Sequence, residues 1–406
     1  MNSSRATVER IGAVQSPVLR KGAVALLVSA SLLLSACSSD DGRAAGEDGS
    51  SPPAGAASAP PASVSPSADL PPAKGSVEVV KTLTDGLASP WGLAALPGGD
   101  LLVASRDEAT ITRIDGETGR KTLLGSVPGV APASEGGLLG LAVAPTYAAD
   151  HLVYAYLTTE SDNRVVRLQY DEKRPAGQQL GAPDTILRGI PKGSVHNGGR
   201  IAFGPDRMLY AGTGETGDTG LSQDKASLSG KILRMTPDGE PVHGNPEADS
   251  VVYSYGHRNV QGLAWDGGKR LWAAEFGQDT WDELNLIEPG GNYGWPDVEG
   301  KGKKAGFVDP VAQWKTSEAS PSGIAYAAGS IWMAGLRGER LWRIPLSGEA
   351  DGEPLAAPQA FLEGKYGRLR TVLAAGGDKL WLVTSNTDGR GTVKPGDDRV
   401  LLLEVR

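Results

Sequence analysis

Gln261-Gly262-Leu263-Ala264-Trp265, Arg270-Leu271-Trp272-Ala273 and Asp282-Glu283-Leu284-Asn285-Leu286 follow one another in a single stretch of the chain. Each is a short apolar run, and a Gly-rich turn and then a loop separate them. The stretch reads as strand, turn, strand, loop, strand. The same order stands upstream, in Gly199-Arg200-Ile201-Ala202-Phe203, Met208-Leu209-Tyr210-Ala211 and Gly230-Lys231-Ile232-Leu233-Arg234. It returns downstream in Ser322-Gly323-Ile324-Ala325-Tyr326, Ile331-Trp332-Met333-Ala334 and Arg340-Leu341-Trp342-Arg343-Ile344. Further copies start at Trp91, Gly140 and Arg370. The spacing is roughly 50–60 residues, with room for a fourth strand in each gap. Such a period, with several strands per unit, predicts an all-β fold, a six-bladed β-propeller with four-stranded blades. Val77 to Leu83 precedes the first unit and is expected to supply the outer strand of the last blade, so that the ring closes without a free edge.

The part before the repeats has a different character. Arg20 and Lys21 precede an uncharged run from Gly22 to Leu34, too short to span a bilayer as a permanent helix. Leu34-Ser35-Ala36-Cys37 then closes the run with the only cysteine in the chain. Small residues before a cysteine resemble the lipobox of bacterial lipoproteins. Residues 1–36 are therefore read as a lipoprotein signal peptide and Cys37 as the lipidation site. That makes the mature protein an extracytoplasmic, membrane-anchored lipoprotein, in contact with the membrane through its lipid anchor alone. Residues 37–75 read as a disordered tether, since Ser, Ala, Pro, Gly and Asp dominate it and no aromatic residue occurs. Residues 76–406 are the propeller. The net charge of −8 makes a generic nucleic-acid surface an unsuitable role.

A propeller carries its chemistry in loops around the central channel. Four loop segments hold the candidates. His196 lies in Val195-His196-Asn197-Gly198-Gly199-Arg200, at the mouth of a strand. Arg258 and Asn259 lie in Ser254-Tyr255-Gly256-His257-Arg258-Asn259 and are suited to donate several hydrogen bonds to one ligand oxygen. Glu275 to Trp295 is oxygen-rich, with Asp279, Asp282 and Glu283, and suits Ca²⁺ as well as it suits a solvated acidic loop. Arg368 and Arg370 alternate along a strand, so they face one side and suit either an exposed basic patch or a clamp for a carboxylate or phosphate, with Arg337 nearby in the fifth unit.

Taken together, Glu135-Gly136-Gly137-Leu138-Leu139-Gly140, His196-Asn197-Gly198-Gly199-Arg200, Tyr255-Gly256-His257-Arg258-Asn259, Asp282-Glu283-Leu284-Asn285, Gly291-Asn292-Tyr293-Gly294-Trp295-Pro296 and Arg368-Leu369-Arg370 resemble the soluble pyrroloquinoline quinone (PQQ) dependent aldose sugar dehydrogenases, the glucose/sorbosone dehydrogenase group. The resemblance runs from about Val77 to Arg406. It implies oxidation of an aldose at C1 to a lactone, with hydride transfer to the quinone and His196 as general base. It implies that Arg258 and Asn259 hold and polarise the quinone oxygen, and that Arg337, Arg368 and Arg370 meet its carboxylates. By the same resemblance Glu135 also contacts the cofactor. Backbone oxygens of Gly277 and Gln278 match ligands of a Ca²⁺ on the cofactor, while Glu283 and the Tyr293 carbonyl match a second, structural Ca²⁺ site.

The chain departs from the family at several positions. Glu135 stands where Gln is common, which sets a carboxylate beside an anionic cofactor unless a cation bridges it. Arg337 stands where Lys is common, and Gln278 replaces a Pro. Val195 precedes His196 where some members have Asp, so the imidazole lacks that neighbour as an orienter. Short gaps between strands imply an open site and broad aldose use. Two other functions remain open on the residues: a Ca²⁺-dependent propeller hydrolase such as a lactonase, and a non-catalytic lipoprotein that binds a sugar or a protein. The channel arginines disfavour the first, and retention of His196 with both arginine groups disfavours the second.

Overall fold

Each repeat folds into a four-stranded antiparallel sheet, and six such sheets make the propeller. The structure is a computed structural model and describes residues 70–406. Cys37, the signal segment and most of the tether lie outside the described residues.

The first blade comprises β2 (Pro90–Ala95), β3 (Leu101–Ser105), β4 (Thr110–Ile114) and β5 (Lys121–Ser126), and the strand before it, β1 (Val77–Thr84), belongs elsewhere. The second holds β6 (Leu138–Val143), β7 (Leu152–Thr158), β8 (Asn163–Gln169) and β9 (Asp184–Ile190). The third holds β10 (Ile201–Phe203), β11 (Leu209–Gly212), β12 (Lys231–Met235) and β13 (Val252–Tyr255). The fourth is β14 (Val260–Trp265), β15 (Leu271–Glu275), β16 (Trp281–Ile287) and β17 (Ala312–Lys315). The fifth is β18 (Pro321–Ala327), β19 (Ser330–Gly335), β20 (Arg340–Pro345) and β21 (Gln359–Phe361). The last joins β22 (Leu369–Gly376), β23 (Lys379–Thr384) and β24 (Val400–Val405) to β1 from the start of the domain. Val77 pairs with Val405 and Thr84 with Val400. This is the closure expected from the sequence, with β1 as the outer strand.

The burial pattern explains the short apolar runs. Strands β3, β11, β15 and β19 are buried at every position. A blade packs a neighbour against each of its faces, so its second strand is apolar on both sides rather than alternating. Six buried clusters result, one between each pair of adjacent blades. Between the fifth and sixth, for example, Trp332 and Leu341 meet Leu382 and Leu401. Trp332 is fully buried, and truncating it to Ala is expected to cost about 3–5 kcal/mol.

The last residues before β1 are held in place. The buried Arg343 donates from Nη2 to the Pro72 carbonyl at 2.7 Å, and Gln359 Oε1 accepts from the Gly75 N–H at 2.8 Å. The inner strands β2, β6, β10, β14, β18 and β22 surround the channel. Their N-terminal ends, and the loops leading into them, carry most of the candidate residues.

Candidate active site

His196 is built on a strained loop. Its φ of 54° lies in the left-handed region, uncommon for a residue with a side chain. Two contacts hold it there. Glu135 Oε2 accepts from its backbone N–H at 2.9 Å, and its carbonyl accepts from the Thr216 N–H at 3.2 Å. Gly214 passes directly against that carbonyl, and a Cβ at position 214 would collide with it.

The imidazole is gripped on both nitrogens. Nδ1 meets Glu215 Oε1, and Nε2 lies 3.0 Å from Arg258 Nη2. Arginine only donates, so Nε2 accepts and the N–H sits on Nδ1, directed at the Glu215 carboxylate. Glu215 is 1% exposed. Position 195 offers the ring no carboxylate, as expected, and Glu215 supplies the orienting contact instead. The orienter comes from the segment just after β11, and its spacing from His196 gave no local signal.

Arg258 is fixed by a fan of acceptors. Nε and Nη2 donate to Gln278 Oε1 at 3.1 and 2.6 Å, and Nη1 donates to the Phe276 carbonyl at 3.3 Å. Its backbone N–H donates to Glu275 Oε2 at 2.8 Å. Burial lowers its pKa from the usual arginine value, opposed by nearby carboxylates, Glu215 foremost. Asn259 Oδ1 accepts from the Gly198 N–H at 3.0 Å, tying the two loops together. Its amide NH₂ has no partner among the described residues. His257, next to Arg258, plays a structural part. It is fully buried, bonded to Ser254 Oγ and Glu275 Oε1, and stacked on Tyr293.

These residues face one cavity of 370 Å³ at the N-terminal ends of the inner strands. Glu135, His196, Arg258, Asn259, Gly277, Gln278, Arg337, Arg368 and Arg370 all line it. Glu283 and Tyr293 do not. They line a small adjoining void, which shares Arg258, Phe276 and Gly277 with the cavity wall.

The cavity is dominated by guanidiniums. Arg106, Arg258, Arg337, Arg368, Arg370 and Arg390 line it against three carboxylates, Glu135, Asp282 and Asp388. Arg106, Asp388 and Arg390 belong to no motif, and no sequence pattern pointed to them. Arg368 and Arg370 do converge, and in this structure Asp388 Oδ2 sits between them at 2.9 and 3.0 Å. Burial lowers the Arg370 pKa to about 10, against the pull of Asp388. For Asp388 burial acts upward, yet Arg370 and Arg368 bring the carboxyl below its ordinary value. Arg337 has no ion-pair partner among the described residues. The concern over Glu135 is answered by Arg390, whose Nη2 lies 2.8 Å from Glu135 Oε1.

The metal candidates divide the same way. Glu299 Oε1 accepts four backbone N–H groups, from Gln278, Asp279, Thr280 and Trp281, at 2.8–3.1 Å. That shapes the loop presenting Gly277 and Gln278, whose carbonyls accept no hydrogen bond among the described residues. Burial pushes the Asp282 carboxyl up to about 6 although the N–H groups of Ser320 and Gly277 donate to it. In the small void, burial and then the neighbouring Glu275 carboxylate push the Glu283 carboxyl well above its usual range. No cation pairs with Glu283 among the described residues. Asp279 lines neither space. No cluster of three or more His, Cys, Asp or Glu side chains with metal-binding geometry occurs among the described residues, so a metal there draws on backbone oxygens as well.

Comparison with known proteins gives a consistent result. The family model described as "Glucose / Sorbosone dehydrogenase" matches residues 87–395. The PQQ-bound aldose sugar dehydrogenase of Streptomyces coelicolor is 75% identical, with a TM-score of 0.82 over 83% of this chain and 100% of that chain. Aldose sugar dehydrogenase YliI of Escherichia coli is 32% identical over 278 residues, 63% of this chain and 74% of the relative. Quinoprotein glucose dehydrogenase B of Acinetobacter calcoaceticus is 29% identical over 285 residues, 61% of this chain and 59% of the relative. With its six-bladed fold, the loop-borne His196 and the arginine-lined cavity, the chain belongs to the glucose/sorbosone dehydrogenase family.

Proposed function

We propose that this protein is a PQQ-dependent aldose sugar dehydrogenase that oxidises C1 of a range of aldoses to lactones. The observation that carries the reading is His196, oriented by Glu215 and offering Nε2 beside Arg258, inside a cavity with more guanidiniums than carboxylates. A tricarboxylate cofactor fits that donor set. Arg337 and Arg370, with Arg368, would hold its carboxylates, and Arg258 with the free amide of Asn259 would hold its quinone edge. When bound, PQQ supplies an ortho-quinone able to accept a hydride from the sugar.

The chain's own residues do the rest. His196 Nε2 takes the proton of the anomeric hydroxyl when the sugar displaces the Arg258 Nη2 contact from its lone pair, and it can do so only while its own proton is on Nδ1. The Glu215 carboxylate stabilises the imidazolium that forms. Arg258 is pinned by Gln278 and Phe276, so its charge is in place before reaction and needs no reorganisation. The Glu135–Arg390 pair removes the repulsion a lone carboxylate would exert on an anionic ligand.

Ca²⁺ fits two places. The unpartnered carbonyls of Gly277 and Gln278 present hard oxygen donors to the cavity. Glu283, beside Glu275 with no cation, suits a second ion together with the Tyr293 carbonyl. The lipid anchor at Cys37 and an extracytoplasmic, membrane-attached location belong to the same proposal. Absorbance of the protein mixed with PQQ and Ca²⁺, followed by bleaching on addition of sugars, tests the activity. A PQQ-loaded protein that no aldose reduces would favour a binding protein instead.

A further inference from the structure

The two ends of the inner strands face different chambers of the channel. At their N-terminal ends β2, β14 and β22 give Trp91, Gln261 and Arg370 to the active-site cavity. Further along the same strands, Leu93, Leu263 and Val372 line a second chamber of 270 Å³ toward the opposite face.

Arg200 lies between the two chambers, immediately before β10. It is 6% exposed and, among the described residues, is the single charged side chain lining the second chamber. Its Nε donates to the Gln261 carbonyl at 2.7 Å and its Nη2 to Thr371 Oγ1 at 3.1 Å. The guanidinium lies 4.5 Å from the centre of the Trp91 ring. Nη1 has no partner, and no carboxylate lies within ion-pair distance, among the described residues. Burial, and then repulsion by Arg370, bring its pKa down to about 9. Arg368 and Arg370 share Asp388 as counter-charge, whereas Arg200 has none among the described residues.

A guanidinium largely removed from water without an anion is costly, and an anion meeting its accessible Nη1 would offset that cost. The rest of the chamber restricts what the anion can be. Thr371, its other side-chain donor, already spends its hydroxyl proton on the Trp91 carbonyl at 2.8 Å. A bare inorganic anion would leave its remaining oxygens against Leu and Val side chains with no donor. A neutral hydrocarbon would leave Arg200 as it is. We propose that the second chamber is a binding site for a short-chain aliphatic carboxylate, with its carboxylate on Arg200 and its alkyl chain against Leu93, Leu263 and Val372.

Calorimetry with hexanoate as the probe, in buffer free of other carboxylates, tests this. Hexanoate is expected to bind at least tenfold more tightly than acetate, which lacks the tail, and than hexanol, which lacks the charge. Arg200→Met should weaken hexanoate at least tenfold. If that variant fails to fold, Ala202→Leu narrows the chamber without touching the guanidinium and should weaken it as much. Arg368→Ala, confined to the active-site cavity, should leave hexanoate affinity unchanged. Equal affinity for acetate or hexanol, or loss of binding in Arg368→Ala, would overturn the proposal, as would full binding by Arg200→Met or Ala202→Leu.

Discussion

Glu215 and His196 come from opposite ends of the first hairpin of the third blade and meet through a buried carboxylate–imidazole contact. The second carboxylate oxygen of Glu215 is buried with no partner among the described residues. Its hydrogen bonding is therefore devoted to the ring. Glu215→Gln keeps the shape, and its amide oxygen can still accept from Nδ1–H while Arg258 holds Nε2 as acceptor, but it removes the negative charge that stabilises the imidazolium. Sugar turnover should fall by about 10²- to 10⁴-fold, the range over which a positioned base acts. PQQ affinity should change little. Steady-state kcat, paired with a PQQ titration, checks both halves.

The arginine pair predicts a cofactor effect. Arg370→Ala removes a buried guanidinium and with it a charge-assisted hydrogen bond of about 1.5–3 kcal/mol. PQQ affinity should weaken by roughly one to two orders of magnitude. Arg368→Ala should act in the same direction, but both variants also leave Asp388 less well paired. Thermal unfolding of the apoprotein separates that cost from the loss of binding. Unchanged PQQ titrations for both variants would remove the clamp.

The void around Glu283 predicts a metal effect on stability. Chelation should lower the melting temperature of the wild type, and Ca²⁺ should restore it. Glu283→Gln should abolish the response to Ca²⁺. The buried carboxyl is pushed upward in the absence of metal, so Ca²⁺ binding should release a proton near neutral pH. Calorimetry in buffers of different ionisation enthalpy would reveal it, and a buffer-independent heat would contradict the assignment.

Asp282 gives a pH dependence with a defined sign. Its folded-state pKa is raised from 3.8 to about 6 by burial. The folded state therefore binds the proton more tightly, and the stability it contributes is full below pH 4 and is lost as pH rises through 6. Over that window the loss is about 3 kcal/mol. In metal-free protein, Asp282→Asn should remove this slope. Denaturant melts of both proteins at pH 4 and pH 7 would show it. A stability difference between them that is independent of pH would contradict it.

Most of the fold was legible because the propeller repeats its pattern. A buried second strand such as Leu271-Trp272-Ala273 stands out against its Gly-rich turns, and six copies leave little choice of architecture. Strand β1 could be assigned to the last blade because a closed ring needs an edge partner there. His196 and Arg258, in loop motifs, were legible for a different reason: their glycine neighbours mark places where backbone and ligand approach closely. Arg370 was legible from its alternation with Arg368 along a strand. Glu215, Asp388 and Arg390 were not. They act on partners brought near by ring closure, as the span from Glu135 to Arg390 shows, and nothing in their own neighbourhoods differs from a polar loop. The same holds for the lone charge of Arg200. It belongs to a quoted motif, but its lack of a carboxylate partner becomes visible only once the channel is built.

The most direct test of the central claim is stopped-flow reduction of protein-bound PQQ by an aldose, in wild type and in His196→Gln, with Ca²⁺ present. The substitution should leave PQQ bound and the fold intact, because His196 lies in a cavity-lining loop rather than in a blade-to-blade core cluster. Bound PQQ should be reduced in the wild type, and about 10²- to 10⁴-fold more slowly in the variant. Equal rates in the two proteins would contradict that claim.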